Sequence, residues 1–202
     1  MLNVPPQVIT LYHTGYQEIR EPDIRHGRKN ADFGQGFYLT PDRDFSERWG
    51  KERKGESVCV NVYRLNVSGL HVRRLERDAE WLGYILGNRR GQPDVFADAD
   101  VIIGPIANDT LFDTLGIISS GFLSEAEALR LLSIGPAYTQ AVIKTEKAAA
   151  QLVWQETNAL SSENVRRWGR VLAEEEKTYM EAFAAACQAM EEETESAKTT
   201  SP

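Results

Sequence analysis

Apolar residues recur in short runs along the front of the chain. Val8 to Tyr12 is one such run; it breaks at Thr14-Gly15, which predicts a strand ending in a turn. A polar, charge-rich loop then reaches Gly34, Phe37 to Thr40 predicts a second short strand, and Pro41-Asp42 opens a helix extending to about Lys54, with Asp42 as its start. Between Ser57 and Val67 apolar and polar residues alternate through Val58, Val60, Val62 and Leu65, which predicts a strand. Helical spacing returns from Arg77 to Leu86 through Trp81, Leu82, Ile85 and Leu86. Val101 to Ile103 reads as a short buried strand ended by Gly104-Pro105. Two small helices follow, Asp109 to Leu115 and Ser124 to Leu132, the second opened by Ser124 as N-cap with Glu127 completing a capping box. Ala137 to Lys144 returns to strand. From Ser161 the texture changes to a helix of about 30 residues in which Val165, Trp168, Leu172, Tyr179, Phe183, Cys187 and Met190 recur at helical spacing.

Short strands separated by helices of unequal length, without regular strand-helix alternation and without an internal repeat, predict an α+β fold. The expected organisation is one domain over residues 7–156, an amphipathic helix over 161–193 and a disordered polar tail over 194–202. A chain of 202 residues fits one ordinary domain with an appendage, and 42% hydrophobic with 26% charged residues is globular composition. Cys59 and Cys187 lie far apart and form no CxxC pair, so both are read as buried thiols rather than as a disulfide or zinc ligands. No apolar run approaches the roughly 18 residues a membrane span needs, and the first ten residues lack the character of a secretory signal, so a cytoplasmic location and no membrane association are expected.

The net charge of −7 is uneven: residues 1–91 hold 15 Lys/Arg against 12 Asp/Glu, and residues 92–202 hold 8 against 18. Overall acidity argues against nonspecific nucleic-acid binding, while Arg20, Arg25, Arg28 and Lys29 suit phosphates, including a dinucleotide pyrophosphate. No P-loop, HExxH, EF-hand or serine nucleophile elbow is present. Gly34-Gln35-Gly36 lacks the third glycine of a Rossmann fingerprint, and no metal ligand set is evident.

The informative stretch is Leu11-Tyr12-His13-Thr14-Gly15, then Asp32-Phe33-Gly34-Gln35-Gly36-Phe37-Tyr38-Leu39-Thr40, then Trp49. It resembles the histidine–tyrosine–glutamate branch of ADP-ribosyltransferases, that of diphtheria toxin and the poly-ADP-ribose polymerases. Within that clan the likeness is strongest to an uncharacterised bacterial family, through Gly104-Pro105-Ile106-Ala107-Asn108-Asp109 and a glutamine in a late strand, Gln140. The resemblance implies a split β-sheet core and NAD as co-substrate. It makes His13 a partner of the adenosine ribose, with Thr14 and Gly15 beside it holding the nicotinamide amide. Gly36 and Phe37 would adjoin the ligand, Tyr38 would stack on the nicotinamide ring, and Trp49 would offer a second flat face. Asn88-Arg89 resembles a further shared feature and would line the acceptor side.

Breaking the nicotinamide–ribose bond develops oxocarbenium-like charge, so such a site needs a dry ring clamp and an oriented acceptor. Gly34 and Gly36 are expected to let backbone approach the ligand, and His13 to donate from a fixed tautomer. Most active members of the branch have a glutamate where this chain offers Gln140, which can hold a ribose hydroxyl but cannot act as a carboxylate. Asp109, or the more distant Glu146, would then supply the negative charge. The expected activity is transfer of ADP-ribose from NAD to a protein or nucleic-acid acceptor, as in a bacterial toxin or regulator. Arginine-specific chemistry lacks its paired Glu-x-Glu. The alternatives are an NAD glycohydrolase, or a catalytically silent NAD-binding module whose long helix meets an antitoxin or a second subunit.

Overall fold

The computed structural model describes residues 7–107 and 123–199. It is a mixed α+β structure with two sheets and a long C-terminal helix. β1 (Val8–Gly15) pairs antiparallel along its whole length with β3 (Cys59–Asn66), and β3 pairs antiparallel with β7 (Leu152–Ala159), giving a three-stranded sheet β1-β3-β7. The second sheet has the order β2-β6-β5-β4, from β2 (Phe37–Leu39), β6 (Thr139–Ile143), β5 (Val101–Pro105) and β4 (Val72–Arg74). Its pairings are antiparallel except for the parallel β4 and β5. Among the described residues the sheets touch through one bridge, in which Tyr12 N–H donates to the Thr40 carbonyl at 2.8 Å and Thr40 N–H donates to the Tyr12 carbonyl at 3.0 Å. The ladder stops there. One residue on, the His13 ring rather than a backbone amide satisfies the Tyr38 carbonyl, at 2.9 Å.

The central strands of the second sheet are buried on both faces. Ile102 and Val142 face a core with Phe33, Trp81, Ile85, Leu131 and Leu132, while Val101, Ile103, Ala141 and Ile143 face a second core with Leu11, Phe37, Tyr63 and Leu65. This two-sided burial makes both strands read as continuous apolar runs. Asp42 caps α1 (Arg43–Arg48) by accepting from Phe45 N–H at 3.0 Å, and Asp78 caps α2 (Ala79–Arg89) through Trp81 N–H. α3 (Glu125–Leu132) carries the capping box of Ser124 and Glu127 read from the sequence, and Thr145 caps the short α4 (Glu146–Ala150).

Several expectations are corrected. α1 ends at Arg48 with Trp49 as its C-cap, short of Lys54, because the chain turns at Gly50 into a gap where an added Cβ would lie 2.8 Å from Val58 Cγ1. Gly104 and Pro105 continue β5 rather than ending it, paired with Gln140 and Thr139. α5 spans Ser162–Thr199, so positions 194–199 are helical and not a disordered tail. Its apolar stripe packs back on the chain: Val165, Trp168, Tyr179, Phe183 and Met190 are buried, the last three in the core that holds Trp81 and Ile85. Cys59 is buried as expected, but Cys187 is only partly so. The helix expected over Asp109 to Leu115 falls outside the described residues. Among the described residues no helix is long and apolar enough to cross a membrane.

Gly36 and Gly34 have structural reasons to lack side chains. A Cβ on Gly36 would sit 2.5 Å from Val142 Cγ1 and 2.6 Å from the Ile143 carbonyl, and Gly34 has a φ of 72° with Lys144 Nζ 2.8 Å from its would-be Cβ. The space beside Gly36 is taken by β6, and that beside Gly34 by the side chain of Lys144, which follows β6. Gly36→Ala is expected to destabilise the fold by roughly 3 kcal/mol, since one of the clashing atoms is backbone; urea unfolding that shows less than about 1 kcal/mol of loss would contradict this.

Candidate functional site

Where β1 and β2 part, a cavity of about 360 Å³ opens, a volume within the roughly 300–1,000 Å³ of small-molecule sites. β1 supplies Tyr12, His13 and Thr14, β2 supplies Tyr38 and Leu39, α1 supplies Phe45 and Ser46, and Thr40, Trp49, Arg28, Ala31, Asp32, Ile106 and Gln140 complete the lining. Residues far apart in sequence meet here because the one-bridge junction brings the ends of β1, β2 and β6 together.

Half-buried His13 packs on Phe37 with ring centroids 4.7 Å apart. The Tyr38 carbonyl can only accept, so the ring proton sits on Nδ1 and Nε2 is left as an acceptor. This contact fixes the tautomer, with Nδ1 as the donor. Burial holds the imidazole below its ordinary pKa, against the opposing pull of the hydrogen bond to Tyr38.

Tyr38 spends its hydroxyl on the loop before it: the O–H donates to the Gly34 carbonyl at 2.7 Å and accepts from Phe33 N–H at 3.0 Å. Burial pushes its phenol far above the usual tyrosine range, with the Phe33 amide pulling the other way. The Tyr38 hydroxyl is therefore a neutral brace, and its ring is what the cavity meets. Phe45 stacks on Tyr138 at 4.2 Å and 9°, with Trp49 edge-on to Phe45 at 6.0 Å and 81°. Trp49 is 42% exposed at the rim.

Gln140 is buried, and its amide Nε2 has no hydrogen-bond partner. Buried polar atoms are nearly always paired, so an orphan amide in a cavity wall is a position where a ligand oxygen fits. Of the basic cluster, Arg20 pairs with Glu18 and lies over the Trp154 ring, and Arg25 pairs with Glu146 at 3.0 Å. That pairing also takes Glu146 away from the cavity. Arg28 lines the cavity and has neither an ion pair nor a hydrogen bond among the described residues.

The loop from Asp32 to Gly34 is fixed from beneath. Arg89 Nε holds Asp32 Oδ1 at 2.8 Å, Asn88 Nδ2 donates to the Asp32 carbonyl at 3.0 Å, and Lys144 Nζ donates to the Phe33 carbonyl at 2.6 Å while pairing with Asp94 at 2.9 Å. Asn88 and Arg89 are thus anchors of this loop and do not line the cavity, where the sequence reading had placed them. Gly15, Gly36 and Phe37 do not line it either: Gly15 ends β1 beside the His13 ring, and Phe37 is buried between His13 and Tyr63. Of the sequence-predicted residues, His13, Thr14, Tyr38, Trp49 and Gln140 come together; Asp109 lies outside the described residues. Sequence reasoning missed Phe45, although it stands one helical turn before Trp49, and missed Asp32 as a lining residue.

A family model described as a protein of unknown function (DUF3990) matches residues 9–154. The chain belongs to this family. The DUF3990 segment runs from β1 into β7 and contains every described residue that lines the cavity, while α5 lies beyond it. No curated protein and no solved structure matches the chain.

Proposed function

We propose that the cavity binds NAD and that the chain transfers ADP-ribose from it to a protein or nucleic-acid acceptor, on an ADP-ribosyltransferase-like core. The observation that carries this reading is the convergence of His13, Tyr38, Trp49 and Gln140, the residues singled out by the resemblance, on one cavity. The residues present suit the dinucleotide. The rings of Tyr38, Phe45 and Trp49 give flat apolar surface for nicotinamide. The orphan amide of Gln140 offers a donor to a ribose hydroxyl, His13 Nε2 accepts from the adenosine ribose, and Arg28 faces the pyrophosphate.

In the transfer the nicotinamide–ribose bond breaks, its electron pair leaves with nicotinamide, and the acceptor's nucleophile takes the ribose carbon and gives up its proton. The protein's part is to hold the ring, orient the ribose and keep water out. Asp109 is the proposed carboxylate. Among the described lining residues the one carboxylate is Asp32, which is spent on Arg89. Gln140, standing in the cavity where the branch has a glutamate, favours a second reading, NAD hydrolysis, in which water replaces an aligned macromolecule.

Since burial favours neutral His13, binding that uses Nε2 as acceptor is present at neutral pH and is lost as the pH falls through the lowered pKa. NAD affinity is expected to stay flat above about pH 6.5 and to fall only under more acidic conditions, with His13→Asn removing the acid limb. Affinity that rises on acidification would show the imidazolium to be the binding form.

Incubating the protein with NAD labelled in the adenylate half, with and without cell lysate, separates the activities. Label bound to macromolecules together with released nicotinamide, both lost in His13→Ala, is the expected result. Equal nicotinamide release without lysate would mean hydrolysis. Binding without release would mean a silent module and would overturn the enzyme reading.

A further inference from the structure

The wall formed by α1 is held from behind by α5. α1 has six residues, too few to be stable by itself in water. Its Arg48 guanidinium lies between two rings, 5.0 Å from the centroid of Tyr138 and 5.1 Å from that of Trp168 on α5. Arg48 Nη1 donates to the Tyr138 hydroxyl and to both carboxylate oxygens of Glu175 on α5, at 2.6 and 2.7 Å, and the Tyr138 O–H donates to the same carboxylate at 3.1 Å. Two turns earlier on α5, Trp168 Nε1 donates to Glu47 Oε2 at 3.0 Å in a buried contact. Among the described residues Glu175 is the only carboxylate paired with Arg48. Tyr138, which Glu175 fixes, is also the ring on which Phe45 stacks.

We propose that α5 is part of the ligand site: Glu175, acting through Arg48 and Tyr138, is a positioning residue that holds Phe45 and Trp49 against the cavity. This rests on the reading of that cavity as the NAD site and extends it to a helix outside the family match. Removing the carboxylate charge leaves Arg48, whose side chain is 15% exposed, without its counter-charge. The guanidinium is then drawn toward water and takes α1 with it.

The test compares full-length wild type, Glu175→Gln and, as a control on the same helix, the exposed Glu176→Gln, by amide hydrogen exchange and by calorimetric titration with NAD. In Glu175→Gln the amides of residues 43–50 are expected to exchange faster, while those of the sheets are unchanged, and NAD affinity is expected to fall roughly three- to tenfold. Glu176→Gln is expected to match wild type in both. Unchanged exchange over residues 43–50 in Glu175→Gln would overturn the proposal whatever binds in the cavity. So would faster exchange with NAD affinity unaltered. Faster exchange confined to α1 in a protein whose wild type takes no NAD would uphold the brace and bring down the NAD reading alone.

Discussion

Arg89→Met is expected to destabilise the fold by about 3 kcal/mol, although Arg89 lines no cavity. Its guanidinium and the Asp32 carboxylate are nearly buried, with side chains 11% and 10% exposed, at 2.8 Å from each other. Removing the cation takes a close counter-charge from the nearly buried Asp32 carboxylate, and that loss outweighs the packing that methionine restores. Asn88 and Lys144 still hold the Asp32 and Phe33 carbonyls, so the loop is loosened and not released. A double variant, Asp32→Asn with Arg89→Met, is expected to recover most of the loss, since the nearly buried carboxylate is then removed together with its counter-charge. Urea unfolding of the four proteins as a double-mutant cycle checks this; a loss below about 1 kcal/mol for Arg89→Met would contradict it.

Tyr38 separates bracing from ring contact. Tyr38→Phe keeps the ring but strands the Phe33 N–H and the Gly34 carbonyl, and is expected to cost about 2 kcal/mol of stability with a small effect on ligand affinity. Tyr38→Ala removes the ring as well. The expected cost is about 4 kcal/mol, with loss of measurable affinity for a nicotinamide-bearing ligand. If Tyr38→Phe and Tyr38→Ala weakened binding equally while unfolding at different urea concentrations, the hydroxyl rather than the ring would be the ligand contact.

Much of the fold is legible where one physical rule dominates. The capping box of Ser124 and Glu127 and the cap at Asp42 could be read because a side chain of fixed reach must meet an amide three residues on. β7 was not foreseen. It lies at the edge of its sheet with many polar positions, and Gln155 is an extra residue between the Glu156 and Trp154 pairings, which breaks the alternation that marks a strand. β4 and α4, with three and five residues, are too short for a period to show. At the candidate site, His13, Tyr38, Trp49 and Gln140 were found through a motif, whereas Asn88, Arg89, Gly34 and Gly36 carry the same motif for packing reasons that only the register of β2 on β6 and the ion pair to Asp32 reveal. A motif records which residues occur together; it does not separate those that touch a ligand from those that hold the loop.

Calorimetric titration of NAD into the wild-type protein and into a Trp49→Ala, Gln140→Ala double variant tests the central claim most directly. Trp49 is exposed at the rim and the Gln140 amide is unpaired, so both changes should leave the fold intact, as a thermal unfolding scan will show. The account predicts saturable one-to-one binding that weakens roughly tenfold or more in the variant. A folded wild-type protein that gives no binding heat at millimolar NAD would contradict it.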